Sequence, residues 1–386
     1  MHSDFTNSLI LTALIPLLFG IFIISVAFQL YFILFVFAKV IQHNTPVIPI
    51  GKSQGVSVIV CAWNELANLK ELLPLLNSQE YPIFEVIIVD DRSWDGTFDY
   101  LLTECTEFQK VRFIRLEQTP EHLSSKKYAL TLGIKSAKYE TILLTDADCR
   151  PQSTHWISGM AECLSSGKEI VLGFSPYFKE KGFLNNLIRY ETFITAIQYF
   201  SFAITGVPYM GVGRNLMYKK SLFLQNKGFA KHTNILGGDD DLFMNDVANE
   251  KNTAVCLNPE TFMYSFPKKT WETWYRQKRR HLSVGKYYQF RNKALLGGLA
   301  TTQILSWLSF IILAPLFSHN PIVFWILGVF LLRLISQWVV FSKANKRLDN
   351  TLEIFTFPFW DGIFALYFLI MGINNFIPRR RKMRWR

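Results

Sequence analysis

Thr141-Ile-Leu-Leu-Thr-Asp146-Ala-Asp148 is a short apolar run that ends in two carboxylates at i and i+2. Two more runs share its form. Val56-Ser-Val-Ile-Val-Cys61 leads into Ala62-Trp63-Asn64-Glu65 and then a helical pattern through Leu69, Leu72, Leu73 and Leu76. Phe84-Glu-Val-Ile-Ile-Val89 ends in Asp90-Asp91-Arg-Ser-Trp-Asp95-Gly96-Thr97. Continuous apolar runs that alternate with helical patterns indicate a parallel sheet covered on both faces. Ligands of such sheets bind outside the carboxyl ends of the strands, which is where all three polar clusters fall.

On either side of this α/β region the composition changes. No charged side chain occurs from Phe5 to Ala38, and about 20 apolar residues suffice for a helix to cross a bilayer core. Asp4 precedes the run and Lys39 follows it, so an uncleaved anchor is expected rather than a secretory signal. Its length suits one long tilted helix, or a hairpin broken near Pro16. Three further apolar stretches lie at about 295–317, 320–342 and 354–377. They are too long and too closely spaced for the core helices of a globular domain. The expected division is an N-terminal transmembrane anchor over 1–50, an α/β domain over 51–267, a basic amphipathic segment over 268–294, a C-terminal transmembrane region over 295–378 and a basic tail over 379–386.

The chain has 386 residues, of which 50% are hydrophobic, and a net charge of +11. Residues 268–293 and 379–386 carry +8 and +6, so everything else sums to −3. Nucleic acid is therefore not an expected partner; the basic stretches suit anionic lipid headgroups instead. Lys39 and the 268–293 stretch both place the central domain in the cytoplasm by the positive-inside rule, which implies a multi-pass cell-membrane protein. The last apolar stretch holds Pro358, Asp361 and Gly362. It reads either as a simple fourth span or as a re-entrant or interfacial element that keeps the tail inside. Five cysteines with no CxxC spacing suit free thiols in a reducing compartment and not a zinc site.

Each acidic cluster has a bland alternative. Asp90-Asp91 with the following Ser and Asp-Gly suits a turn and a helix N-cap. Gly237-Gly238-Asp239-Asp240-Asp241-Leu242 suits a solvated helix start. Asp146 and Asp148 are harder to explain structurally, because neighbouring carboxylates at a sheet edge repel unless a cation compensates. A hard divalent ion that bridges them to phosphate oxygens would do so.

Taken in order, the 56–65, 90–97, 124–134, 141–149, 237–242 and 277–281 segments resemble the membrane-bound inverting glycosyltransferases of family 2. The resemblance covers roughly residues 55–285. It implies an α/β GT-A (Rossmann-like) cytoplasmic domain flanked by transmembrane helices, and a hexosyltransferase that uses a nucleotide-sugar donor such as a UDP- or GDP-sugar. By similarity, Ala62, Trp63, Asn64 and Glu65 lie against the base and ribose, and Asp91 accepts a hydrogen bond from the base. Lys126, preceded by Ser125 where the family has glycine, faces the nucleotide or its diphosphate. Asp146 and Asp148 form the family's DxD pair, with Asp148 as the direct ligand of Mn2+ or Mg2+. Asp239 stands at the general base and Asp241 at a second acid on the acceptor side, while Gly238 replaces a common Glu.

Gln277-Lys278-Arg279-Arg280-His281 resembles the family's QxxRW motif. Arg280 would then bind the pyrophosphate, Gln277 would help close the site, and His281 would replace the acceptor-side Trp. That replacement weakens the case for a polymer-making enzyme. The expected function is transfer of a sugar to a membrane-lipid acceptor with inversion; the alternative is a processive exopolysaccharide synthase acting on a glycan acceptor, and a third is a scaffold that has lost its chemistry. Trp271, Trp274, Tyr275 and Leu282 at helical spacing among basic residues suit a helix lying in the membrane interface. The aromatic stretch 183–209 reads as a lipid-facing acceptor region, or simply as core. Gly211-Val-Gly213-Arg214-Asn215 is a glycine-rich turn, and it does not complete a dinucleotide-binding pattern.

Overall fold

The structure is a computed structural model and describes residues 2–44, 54–120, 124–164, 167–233, 235, 237–348 and 352–376. The expected tail over 379–386 and the end of the expected anchor lie outside the described residues. The described residues fall into two compact units, one built on residues 54–288 and the other on residues 2–41, 289–346 and 353–376.

The first unit is built on a seven-stranded sheet. Its strands are β1 Val56–Ala62, β2 Phe84–Asp90, β3 Val111–Arg115, β4 Thr141–Asp146, β6 Ile170–Leu172, β7 Leu216–Lys219 and β8 Thr253–Val255; β5 Cys149–Pro151 and β9 Met263–Ser265 form a separate pair. The order is β3-β2-β1-β4-β7-β6-β8. Strands β2, β1 and β4 are parallel, as their apolar runs predict, and β3 joins β2 in parallel, whereas β7 pairs antiparallel with both β4 and β6. The sheet is therefore mixed. The chain first winds outward from β1 through β2 and β3, then crosses to β4 on the other side, so the crevice between β1 and β4 is the topological switch point. Register places Ala62 beside Asp90 and Cys61 beside Asp146, which brings three of the polar clusters to one edge.

Helices fix these strand ends in place. Helix Leu66–Asn77 buries Leu69, Leu72, Leu73 and Leu76, the i, i+3, i+4, i+7 stripe of a helix packed on a sheet. Helix Ser125–Ser136 approaches the sheet more closely, because Gly133 has no side chain; a Cβ there would lie 2.7 Å from Ile59 Cγ2. That approach holds the first turn of the helix, and with it Lys126, near the carboxyl ends of β1 and β4. Helix Phe183–Ile204 buries Phe193, Tyr199, Phe200 and Phe202. Most of the aromatic stretch is thus core, and the expectation of a lipid-facing acceptor surface is corrected by its packing inside the domain.

Among the described residues four helices are long and apolar enough to cross a membrane: Leu14–Gln42, Phe290–Leu316, Ile322–Arg347 and Ile354–Ile373. One comes before the α/β unit in sequence and three come after it. Pro16 lies inside an unbroken helix His2–Tyr31, so the first apolar run is not a hairpin. Phe22, Val26, Leu313, Ile326 and Phe330 form the apolar core of the second unit. Asp361 accepts from Arg333, Gln303 Nε2 at 3.0 Å and Trp307 Nε1 at 2.8 Å. Arg333 and Asp361 are almost fully buried. A paired and hydrogen-bonded carboxylate is tolerated inside a helical bundle, and Pro358 sits in the first turn of helix Phe357–Phe376, where it breaks no hydrogen bond. The helix is continuous from Phe357 to Phe376.

Candidate functional site

The first two loops at the sheet edge are laced together. Asp91 N–H donates to Ala62 O at 2.8 Å, Asn64 N–H to Ser93 Oγ at 2.8 Å, Trp94 N–H to the Asn64 side-chain oxygen at 2.9 Å, and Glu65 N–H to Thr97 Oγ1 at 3.1 Å. Asn64 adopts φ +56°, a conformation in which Asn is among the best tolerated residues. Asp91 is buried and accepts from Arg92 Nε at 2.9 Å. Trp63 and Trp94 meet edge to face at 5.2 Å, and Trp94 is 73% exposed. The loops form a fixed platform with an indole surface open to solvent.

Opposite them, the end of β4 presents Asp146 and Asp148 with Ala147 buried between them. Burial, and then the charge of Asp146, push the Asp148 carboxyl above its ordinary value against the opposing pull of Arg214, Lys268 and Lys126. Glu65 lies in the same field and is also raised, chiefly by burial, with the two aspartates adding to it against a hydrogen bond from Asn68. Mutual repulsion of this kind is what a bound cation relieves. Among the described residues no group of three or more His, Cys, Asp or Glu side chains gathers around a metal-sized site. Any Mg2+- or Mn2+-type ion at Asp146 and Asp148 would have to take its remaining ligands from phosphate oxygens and water.

Lys126 connects this pair to the acidic motif. Its Nζ lies 3.1 Å from Asp146 Oδ1 and 3.3 Å from Asp239 Oδ2. Burial would depress this ammonium, but Asp146, Asp239 and Asp240 hold its pKa well above the usual lysine value. The adjacent Lys127 turns elsewhere and donates to the carbonyls of His232 at 2.7 Å and Ile235 at 2.8 Å, securing the segment that leads to the motif.

The three aspartates differ by environment. Burial pushes Asp239 up, yet Lys126, a backbone N–H and Arg280 together bring it below its ordinary value. Asp240 is structural: Oδ1 accepts from Asp241 N–H at 2.9 Å as the cap of helix Asp241–Val247, and Oδ2 accepts from Gly213 N–H at 2.8 Å. Burial and then Asp239 raise Asp240; burial and then Asp240 raise Asp241 well above the usual range, opposed by a hydrogen bond from Tyr288. Of the three, Asp239 is the one whose pKa is lowered, with Lys126 as the cation chiefly responsible. Its two preceding glycines have φ +90° and +72°, and a Cβ on Gly238 would lie 2.8 Å from Leu242 and 2.9 Å from Val284. The Gly238 departure is thus a backbone requirement of this turn.

Gln277, Arg280 and His281 share one face of helix Trp271–Leu282 at i, i+3 and i+4. Arg280 Cγ would be 3.5 Å from a Cβ on Gly237, which puts Arg280 beside the acidic turn. Gln277 is half-buried and His281 is exposed. Within the stripe at 271, 274, 275 and 282, Trp274 is buried whereas Trp271 and Leu282 are exposed, and Lys278 of the same helix pairs with Glu191 at 2.5 Å.

Residues 57–225 match the model of the family described as Glycosyl transferase family 2. These residues are a family 2 glycosyl transferase domain. Over 95 residues the chain is 34% identical to poly-beta-1,6-N-acetyl-D-glucosamine synthase of Staphylococcus epidermidis, a stretch covering 25% of this chain and 22% of that protein. Over 134 residues it is 28% identical to chondroitin synthase of Pasteurella multocida, covering 33% of this chain and 13% of that one. The chain thus spans about a quarter or less of the length of these curated relatives. A solved structure of mannosyltransferase PcManGT from Pyrobaculum calidifontis, in complex with GDP-Man and Mn2+, superposes with a TM-score of 0.58 at 17% identity, covering 93% of this chain and 98% of that one. The family 2 domain therefore has the GT-A fold.

Sequence reasoning missed Arg214, Lys268, Lys127 and Tyr288. Arg214 was legible only as part of a glycine-rich turn, because its placement depends on the antiparallel strand that follows.

Proposed function

We propose that the chain is an integral-membrane glycosyltransferase that moves a sugar from a UDP- or GDP-activated donor to a membrane-lipid acceptor on the cytoplasmic face, with inversion. The observation that supports this most is the Lys126 link between the Asp146 carboxylate and Asp239. It sets the candidate diphosphate site and the candidate base one side chain apart.

In this reading, Trp63 and Asn64 with Ala62 and Glu65 hold the base and ribose, with Asp91 accepting from the base. Lys126 and Arg280 bind the diphosphate. Asp146 and Asp148 would hold Mn2+ or Mg2+, which when bound neutralises charge on the leaving nucleoside diphosphate. Asp239 takes the proton of the acceptor hydroxyl as it attacks the anomeric carbon, a contribution of about 10²–10⁴ in rate. Gln277 closes the site, and Asp241 and His281 lie on the acceptor side. Attack opposite the departing diphosphate inverts the anomeric centre.

A processive synthase is the second reading, favoured by the names of the polysaccharide synthases among the relatives. Membranes containing the full chain, incubated with labelled UDP- and GDP-sugars and Mn2+, separate the two. Label extracted into organic solvent is the expected result, label in a large water-soluble polymer supports the synthase, and no transfer from any donor contradicts both.

A further inference from the structure

We infer that Arg214 is a diphosphate-binding residue of the donor site, an inference that rests on the glycosyltransferase reading above. No motif of the sequence assigns it this role. Its position follows from the sheet. Strand β7 pairs antiparallel with β4, Leu216 opposite Leu144. Arg214 lies in the turn that enters β7, two residues before Leu216, and Asp146 ends β4, two residues after Leu144.

The backbone on either side of Arg214 is clamped. Gly213 N–H donates to Asp240 Oδ2 at 2.8 Å, and a Cβ on Gly213 would come within 3.2 Å of that oxygen. On the other side, the Asn215 side chain donates to Phe174 O and Thr261 O, both at 2.8 Å, and accepts from Trp156 Nε1 at 3.0 Å. The turn is therefore tied at once to the acidic motif and to the core. A guanidinium on such a turn is held in one place.

The guanidinium itself is only partly satisfied. Nη2 donates to Ser175 O at 3.2 Å, and the group lies over the Tyr177 ring at 4.3 Å from its centroid. Nη1 is buried and has no hydrogen-bond partner, and no carboxylate of the described residues lies within 4.0 Å of this arginine. A buried donor without an acceptor calls for an explanation, and a ligand is one. Asp148 and Asp146 feel its charge, as does His281 on the helix that carries Arg280. The unfilled donor is thus within electrostatic reach of both motifs expected to flank the diphosphate. Arginine's fork of N–H groups matches phosphate oxygens in pairs, and stacking on Tyr177 fixes its plane.

The test uses the full-length protein in detergent with Mn2+ and calorimetric titration of UDP, GDP, UMP and GMP. Arg214→Gln is expected to weaken the preferred nucleoside diphosphate by at least about tenfold, the loss of one charge-assisted hydrogen bond, while the matching monophosphate loses less than about threefold. Arg214→Lys keeps the charge without the fork and is expected to lose at least about threefold for the diphosphate. A smaller diphosphate loss in the folded Gln variant, or an equal loss for mono- and diphosphate, overturns the inference. If the Gln variant does not fold, an unchanged diphosphate affinity in Arg214→Lys overturns it. A wild-type protein that binds neither UDP nor GDP overturns the glycosyltransferase reading itself, and this inference with it.

Discussion

The ammonium of Lys126 lies 3.3 Å from Oδ2 of Asp239. The proposed base is thus paired with a cation, which favours its deprotonated form and also lowers its basicity. Since the same lysine holds Asp146, a diphosphate bound at the proposed site would compete for that ammonium and so affect Asp239.

Removing that cation has a definite sign. Asp239 has a folded-state pKa below its ordinary value, so its contribution to stability is present above about pH 4 and is lost as pH falls through the folded value. In Lys126→Met the nearby positive charge is gone and the Asp239 pKa rises. The acid limb of the kcat/KM profile is expected to move to higher pH, and the acid unfolding midpoint with it. An unshifted acid limb would show that Lys126 does not set the state of the base.

Lys127 predicts a change at the alkaline end. Burial lowers its pKa from 10.5 to about 8 against the pull of Asp239 and Asp240. Between those two values the unfolded chain binds more protons than the folded one, so this residue makes stability rise with pH across that window. Thermal melts of Lys127→Met between pH 7 and 10 should rise less steeply than those of the wild type. The same variant frees the carbonyls of His232 and Ile235, so its activity should also fall.

Gly238→Glu restores the residue common in the family and should nonetheless destabilise the domain. The position has φ +72°, and its Cβ would press on the buried Leu242 and Val284. A cost of about 1–3 kcal/mol is expected, measured by thermal denaturation. Gly238→Ala should cost a similar amount, because strain and not charge is responsible.

How much of this was legible in the sequence differs from residue to residue. The strands β1, β2 and β4 announced themselves through uninterrupted apolar runs, and their carboxyl ends located Asp91, Asp146 and Asp148. The three-residue strands β6 and β8 carry too little pattern to be read, and the antiparallel β7 gives no local sign of its direction. Lys126 was placed by family likeness, but its pairing with Asp239 joins residues 113 positions apart and depends on tertiary structure. The pairing of Lys278 with Glu191, on another helix, was equally illegible, because nothing in the local spacing points to that partner. Asp361 suggested a break in the last helix, because its partner Arg333 lies on the preceding one.

That pair predicts the behaviour of the helical unit. Breaking a buried ion pair leaves an uncompensated charge and costs about 3–5 kcal/mol. Arg333→Leu and Asp361→Leu should each lower the melting temperature in detergent, and the double variant should lose less than either single one. Trp307 and Gln303, which also donate to Asp361, should give smaller losses when replaced.

The central claim is that Asp239 is the base of a sugar transfer. Its most direct test is transfer of label from the preferred sugar nucleotide by the full-length wild type and by Asp239→Asn, with nucleoside diphosphate affinity measured on the same samples. Transfer reduced by at least about 10² with diphosphate affinity retained is the predicted result. Transfer by Asp239→Asn at the wild-type rate would contradict it.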